Sequence, residues 1–335
     1  STAGFLFSIP GQTMGMAVFT DTFIEVLDLT RTQVSMAYLI GTVASSLFLT
    51  RAGRWYDLYG GRVMIAGSAA ALGLMVLVIS GVDLLSSLLG GSTAITFCLL
   101  LSAFFGVRFF GQGVLTSCSR NVLLLWFVKR RGLVSGIRSV FVSFGFAIAP
   151  LAIAFLISSF GWRGALWFMG LTVGVIFALL ALVFIRDNPA SCGLQADGGD
   201  PSDRDSTPLE APSKTIDEAR RSPIFWIYSL SLGMHALFGT ALTFHVVAVF
   251  AESGFSADVA FGYFLPAALF STASNLIASS VVDRHRLKPF LVLMLGALSI
   301  GAIGLIKLDQ PWGYWVLAAG FGIGGGLWGV ISNLA

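Results

Sequence analysis

Ten mostly apolar stretches follow one another along the chain, at roughly residues 4–26, 33–54, 63–83, 94–118, 133–158, 164–186, 224–250, 257–281, 288–306 and 312–335. Each is near the length a helix needs to cross a hydrocarbon layer, about 20 residues for about 30 Å. Little polar surface is left to solvate such segments in water, since 56% of the residues are apolar, 11% are charged and the mean hydropathy is +0.86. The runs are continuous and too long for strands, and period-two alternation is absent, which excludes a membrane β-barrel. The expected fold is all-α, polytopic and embedded in a bilayer. Ser1 stands close to the first crossing and Ala335 at the end of the tenth, so the chain is expected to be a truncated piece of a longer one.

Positive charge sorts by side. With odd-numbered crossings running outward, 16 of the 20 Lys and Arg residues fall on inward loops and helix ends. Arg31, Arg163 and Lys307 fall outside, and Arg108 lies within a crossing. This bias places the N-terminus in the cytoplasm and accounts for the net charge of +3 without a nucleic-acid partner. Residues 187–223, rich in Pro, Gly, Ser and Asp, cannot build a core and read as a cytoplasmic linker between residues 1–186 and 224–335. Thr215 and Glu218 near its end have capping-box spacing. Cys98, Cys118 and Cys192 are too scattered for a disulfide or a metal site, and no metal or cofactor is implied.

One inner loop is unusually polar: "GRWYDLYGGR", residues 53–62, between the second and third crossings. Gly53 permits close helix approach, Asp57 can face the positive end of a neighbouring helix, and the arginines hold the segment at the interface. A weaker copy lies six crossings later, with Ser279 and Asp283 at the spacing of Gly53 and Asp57 and with Arg284 following. A motif repeated every six crossings indicates two parallel six-helix halves.

Gly53-x-x-x-Asp57-x-x-Gly60-x-Arg62 resembles the signature loop of the major facilitator superfamily, as do "RFFGQG" from Arg108, "WFVKRRG" in the next inner loop and "GWRGAL" between the fifth and sixth crossings. The resemblance spans the whole chain and implies a fold of two six-helix bundles, of which ten helices are present. It also implies that the 53–62 loop latches the outward-facing state. Gly136, Gly145, Ala149 and Pro150 are similar to the family's antiporter motif, with Ala149 at a usual Gly position. "PGQT" and Phe244-His245 resemble bacterial members related to monocarboxylate and oxalate/formate carriers. The sequence departs from that pattern at Leu58, where a base is usual, at Ser279, and in the eighth crossing, which has no embedded arginine.

Candidate transport residues follow from the cost of polar groups in lipid. A cation at mid-helix costs about 2.5–3.5 kcal/mol on insertion scales, so Arg108 needs a partner. Two roles fit it: pairing with an anionic group of a substrate, or bonding a neighbouring carboxylate or carbonyl for structure. Gln112 and Thr116 follow at four-residue steps, then Ser119, predicting a polar stripe. In the first crossing Pro10 and Gly11 break the hydrogen-bond ladder and free carbonyls for Gln12, Thr13 or a ligand, and a kink that only shapes packing fits equally. Asp21 and Glu25, one turn apart, fit a proton site, a pair with Arg31, or simple solvation. His235 and His245 lie about 80° apart on the seventh crossing, too far round to form one site; each alone fits proton coupling or a structural hydrogen bond. Asn275 and Ser271 are one turn apart on the eighth. "GFGIGGG" from Gly320 lies inside an apolar helix with no preceding strand, so it reads as tight helix packing.

The expected function is secondary active transport of a small organic anion, a carboxylate for instance, by alternating access with proton symport or exchange, in a bacterial inner membrane. An exporter of amphipathic drugs is the alternative, and a transporter-derived receptor the alternative from another class. No nucleophile–base set or carboxylate pair suggests an enzyme. The expected partners are the small molecule, a proton or exchanged anion, and membrane lipid.

Overall fold

The computed structural model describes residues 1–127, 131–198, 216–282 and 287–334, and every regular element among them is helical. The first crossing, α1, is interrupted, running as Thr2–Phe7, Ile9–Gly11, Thr13–Ala17 and Thr20–Leu27. α2 and α3 are the limbs 31–59 and 61–79 of one 49-residue helical run, separated by Gly60 alone. Uninterrupted, that run would extend about 73 Å at about 1.5 Å per residue, far beyond a bilayer core. α4 covers Thr93–Trp126. α5 (131–160) and α6 (162–184) are likewise separated by one glycine, Gly161. α7 is Pro223–Glu252, α8 Ala257–Val281, α9 Leu287–Ile306 and α10 Gly313–Leu334.

Seven described helices are long and apolar enough to cross a membrane. Two of them fold at a glycine into two crossings each, and α1 adds one, giving the ten expected. The 53–62 segment, expected as a loop, is helical to Tyr59. Gly60, at φ 78° and ψ 165°, supplies the whole break, in a region where a side chain would be strained. Helix starts carry the expected chemistry. Thr30 forms a capping box with Gln33 at the head of α2, and Ser92 accepts from the Ile95 N–H at the head of α4.

The chain forms two compact units, Ser1–Arg131 with Ala149–Gly198 and Gly132–Ile148 with Gly199–Ala335. The boundary at 148/149 falls inside α5, between Gly145 and Pro150. Small residues set the helix crossings in each, because lipid tails offer no hydrophobic drive and association depends on close contact. In the first unit Gly73 of α3 lies against the backbone of Gly170 and Gly174 in α6. In the second, the glycine run of α10 is a packing face: Gly320 lies on Gly301 and Ala297, Gly322 on Ala267, and Gly326 on Ser271 and Ser274.

A Gly326→Ala variant puts its Cβ onto α8 backbone, whereas Gly296, inside α9, has open space around it. Gly326→Ala is therefore expected to destabilise by about 1–3 kcal/mol. Gly296→Ala should be neutral or stabilising by up to about 1 kcal/mol. Thermal unfolding in detergent measures both.

Candidate functional site

The site begins with a broken helix. Pro10 has no N–H to donate, so the chain makes one tight turn at Ile9–Gly11 and then extends at Gln12 (φ −87°, ψ 156°) before Thr13 restarts the helix. The Gly11 carbonyl is thereby freed from the ladder. Opposite it, α4 is π-helical from Arg108 to Leu115, a wider turn with i→i+5 bonding that recurs at functional sites. Gly11 and Gly111 meet backbone to backbone here. A Cβ on Gly11 would strike the Val107 carbonyl and Gly111, and a Cβ on Gly111 would strike Gly11.

That contact brings Arg108 to the break. Its Nη1 donates to the Gly11 carbonyl at 3.1 Å and to Thr13 Oγ1 at 3.4 Å. The guanidinium carbon lies 5.2 Å from the Tyr38 ring centroid, a cation–π distance. The Tyr38 hydroxyl donates to Thr13 Oγ1 at 2.9 Å. Arg108 is only 5% exposed, and its Nε is buried without a hydrogen bond among the described residues. Its partners are thus a carbonyl, a hydroxyl and a ring, and Arg108 has no carboxylate partner among the described residues. A buried guanidinium whose five donors are mostly uncommitted can still take a planar anion.

Tyr38 is the site residue that sequence reasoning missed. Its ring is fixed edge-on by Phe104 (5.3 Å, 82°), which in turn meets Phe23. The available signal was a single phenol within the second crossing. Gln12, also buried, donates to Ser8 Oγ at 2.9 Å, and Ser8 donates to the Phe5 carbonyl. Its amide thus closes the turn before the break and leaves the Gly11 carbonyl to Arg108.

The stripe from Arg108 is only partly present. Thr116 and Ser119 are buried, and Thr116 donates to the Gln112 carbonyl, but the Gln112 side chain is exposed. The π-helical run takes extra residues per turn, so positions after Arg108 leave the α-helical register on which the stripe was based.

The other candidates lie apart from this cluster. Asp21 pairs with Arg31 at 2.5 Å, both well exposed, and Glu25 is exposed beside them. His235 of α7 is buried, with its ring parallel to Phe321 (5.7 Å) and Trp328 (6.4 Å) of α10. Gly324 leaves room for it, and Nδ1 has no hydrogen bond among the described residues. His245 is half-buried against Phe244, ten residues and about 15 Å further along the helix. Asn275 donates to the Gly326 carbonyl at 3.0 Å, tying α8 to α10. At the signature segment Gly53 is open, with nothing near its Cβ position, and Asp57 is exposed. The carboxylate at the head of α3 is Asp187, which accepts from the Arg62 N–H at 2.7 Å and abuts Gly60. Asp283 and Arg284 lie outside the described residues.

Because α1 and α4 touch through bare backbone, Gly11→Ala and Gly111→Ala should each part them and destabilise by about 1–3 kcal/mol. Gly113→Ala, which meets the tip of Leu49 at 3.0 Å and the Arg108 carbonyl at an ordinary contact distance of 3.5 Å, should be close to neutral. Thermal unfolding of the three variants checks this.

The family model described as Major Facilitator Superfamily matches residues 1–335. No curated protein matches the chain. Solved structures share its fold at low identity. A bacterial homolog of the human lysosomal transporter Spinster, inward-facing and unoccupied, aligns with TM-score 0.66 and 18% identity over 99% of this chain and 73% of that one. The same homolog in its occupied conformation gives 0.59 and 18%, over 97% and 71%. A D-xylose-proton symporter gives 0.60 and 16%, over 97% and 78%.

Proposed function

Because the chain belongs to the Major Facilitator Superfamily, and is thus an integral membrane transporter of the secondary kind rather than an enzyme, we propose that its cargo is a small organic anion anchored by Arg108. The observation that carries this reading is a buried guanidinium with no carboxylate beside it among the described residues and with a single nitrogen, Nη1, hydrogen-bonded. Such a cation is costly in a membrane interior, and a carboxylate delivered as substrate offsets that cost through charge-assisted hydrogen bonds. Its place beside a discontinuous helix and a π-helical run suits a binding site, since carriers build theirs from interrupted helices. Thr13 and Gln12 line the same break, and Gln112 and Asn275 are secondary candidates.

Coupling is by proton symport or by exchange, with alternating access across a bacterial inner membrane and a cytoplasmic N-terminus and linker. One structural neighbour is a proton symporter by its description. His235, buried and with no hydrogen bond to Nδ1 among the described residues, and Asp21, held in an exposed pair with Arg31, are the candidates for the proton. The antiporter-like Gly145 and Pro150 in α5 support exchange. A second reading draws on the bond from Arg108 to the Gly11 carbonyl, which gives the arginine a structural task and leaves an exporter of amphipathic compounds as the alternative.

Uptake of radiolabelled anions, cations and neutral solutes into proteoliposomes distinguishes them. Anions alone should be carried, and Arg108→Ala should slow their uptake about ten- to hundredfold, the worth of one or two charged hydrogen bonds. Wild-type uptake of neutral or cationic compounds by Arg108→Ala would reject the anion reading. Saturable binding without any flux would favour a receptor.

A further inference from the structure

α3 and α6 are joined by the same device at both ends. Gly161, Arg163 and Gly174 each lie 101 residues after Gly60, Arg62 and Gly73. Gly60 (φ 78°, ψ 165°) and Gly161 (φ 70°, ψ 167°) share one backbone conformation, and each starts its helix with an arginine two residues on. Arg62 Nε donates to the Leu182 carbonyl in the last turn of α6, and Arg163 Nη1 donates to the Ser80 carbonyl just past α3, at 2.9 Å. A carboxylate beyond each helix end completes the contact. Asp187 accepts from the Arg62 N–H, and Asp83 pairs with the Arg163 guanidinium. Between the ends, Gly73 and Gly174 meet backbone to backbone, each reaching the other's Cα.

Each arginine therefore supplies the donor that an orphan C-terminal carbonyl lacks; Asp187 sits where the N-terminus of α3 favours negative charge, and Asp83 holds the Arg163 side chain by its charge. The backbones come closest where Gly73 meets Gly170 and Gly174, and a contact made by bare glycine backbone leaves the helices free to swing about it. Contacts about 16 Å away on one side and about 10 Å on the other, from the rise per residue along α3, remove that freedom. We propose that Arg163 and Asp83 are positioning residues for transport: with Arg62 and Asp187 they clamp α3 and α6 into a single strut that keeps its geometry while the carrier changes conformation. On this account Arg62 belongs to a clamp within its own unit. The clamp acts whatever solute is carried.

Pulsed electron paramagnetic resonance tests it on the full-length protein in nanodiscs, with Cys98, Cys118 and Cys192 replaced and spin labels at exposed sites. Labels at Leu84 and Phe168 report one end, and labels at Val63 and Phe184 the other. Each pair should give one narrow distance distribution. Arg163→Gln should at least double the width for the Leu84–Phe168 pair and leave the Val63–Phe184 pair unchanged. Asp83→Asn, which removes the acid and keeps the arginine bonded to Ser80, should broaden the same pair less. Two populations in the unmutated protein, or an unchanged width in both variants, would overturn the proposal.

Discussion

A guanidinium halfway along an apolar helix must find polar company, and the first unit is built so that Arg108 finds it in the backbone of α1. Pro10 opens the ladder, the Gly11 carbonyl loses its helical donor, and the glycine contact between α1 and α4 brings Arg108 Nη1 within 3.1 Å of it. Each defect compensates another. A broken helix in lipid leaves polar backbone unpaired and a lone arginine is expensive, so together they are more tolerable than either alone. Thr13 and Tyr38 steady the arrangement without neutralising the charge, since neither is a carboxylate. What results is an ordered cation at mid-helix with hydrogen-bonding capacity in hand.

Two backbone crossings of the first unit occur where a helix is π-helical, Gly111 within Arg108–Leu115 of α4 and Gly174 within Thr172–Phe177 of α6, whereas Gly41 of α2 meets α-helical backbone of α4 at Leu101–Phe105. A wider turn displaces side chains from their α-helical positions, and a glycine there exposes bare backbone to the neighbouring helix. The same two features that let α1 approach α4 also let α3 approach α6. In the second unit the glycine run of α10 makes comparable contacts with α8 and α9, and Gly324 makes room for His235.

How much of this was legible depended on the range of the interaction. Ten crossings could be read because bilayer thickness imposes about 20 apolar residues on each, a constraint that needs no tertiary knowledge. Arg108 stood out for the same reason, and Pro10-Gly11 marked the break because proline's missing donor is a local fact. The partnership between them was beyond reach, since 97 residues separate Arg108 from Gly11. Gln112 was placed on the stripe by α-helical spacing, and nothing local in "RFFGQG" announces a π-helical run. Polarity made 53–62 look like a loop, whereas one glycine at positive φ was enough to end a helix that otherwise runs to Tyr59. Asp187 fell at the start of the expected linker and Asp83 at the last position of the third stretch, and nothing local marked either until the fold set them beside Arg62 and Arg163.

The central claim is that the charge of Arg108 is held ready for an anion, and equilibrium binding measures this without requiring turnover. Small carboxylates titrated against the full-length protein in nanodiscs, beside Arg108→Gln shown to be folded by circular dichroism, give the comparison. The account predicts saturable binding that weakens about ten- to hundredfold in the variant, the range expected when a charged hydrogen-bonding partner is lost. Equal affinity in the two proteins, or binding confined to uncharged amphipathic compounds, would contradict it.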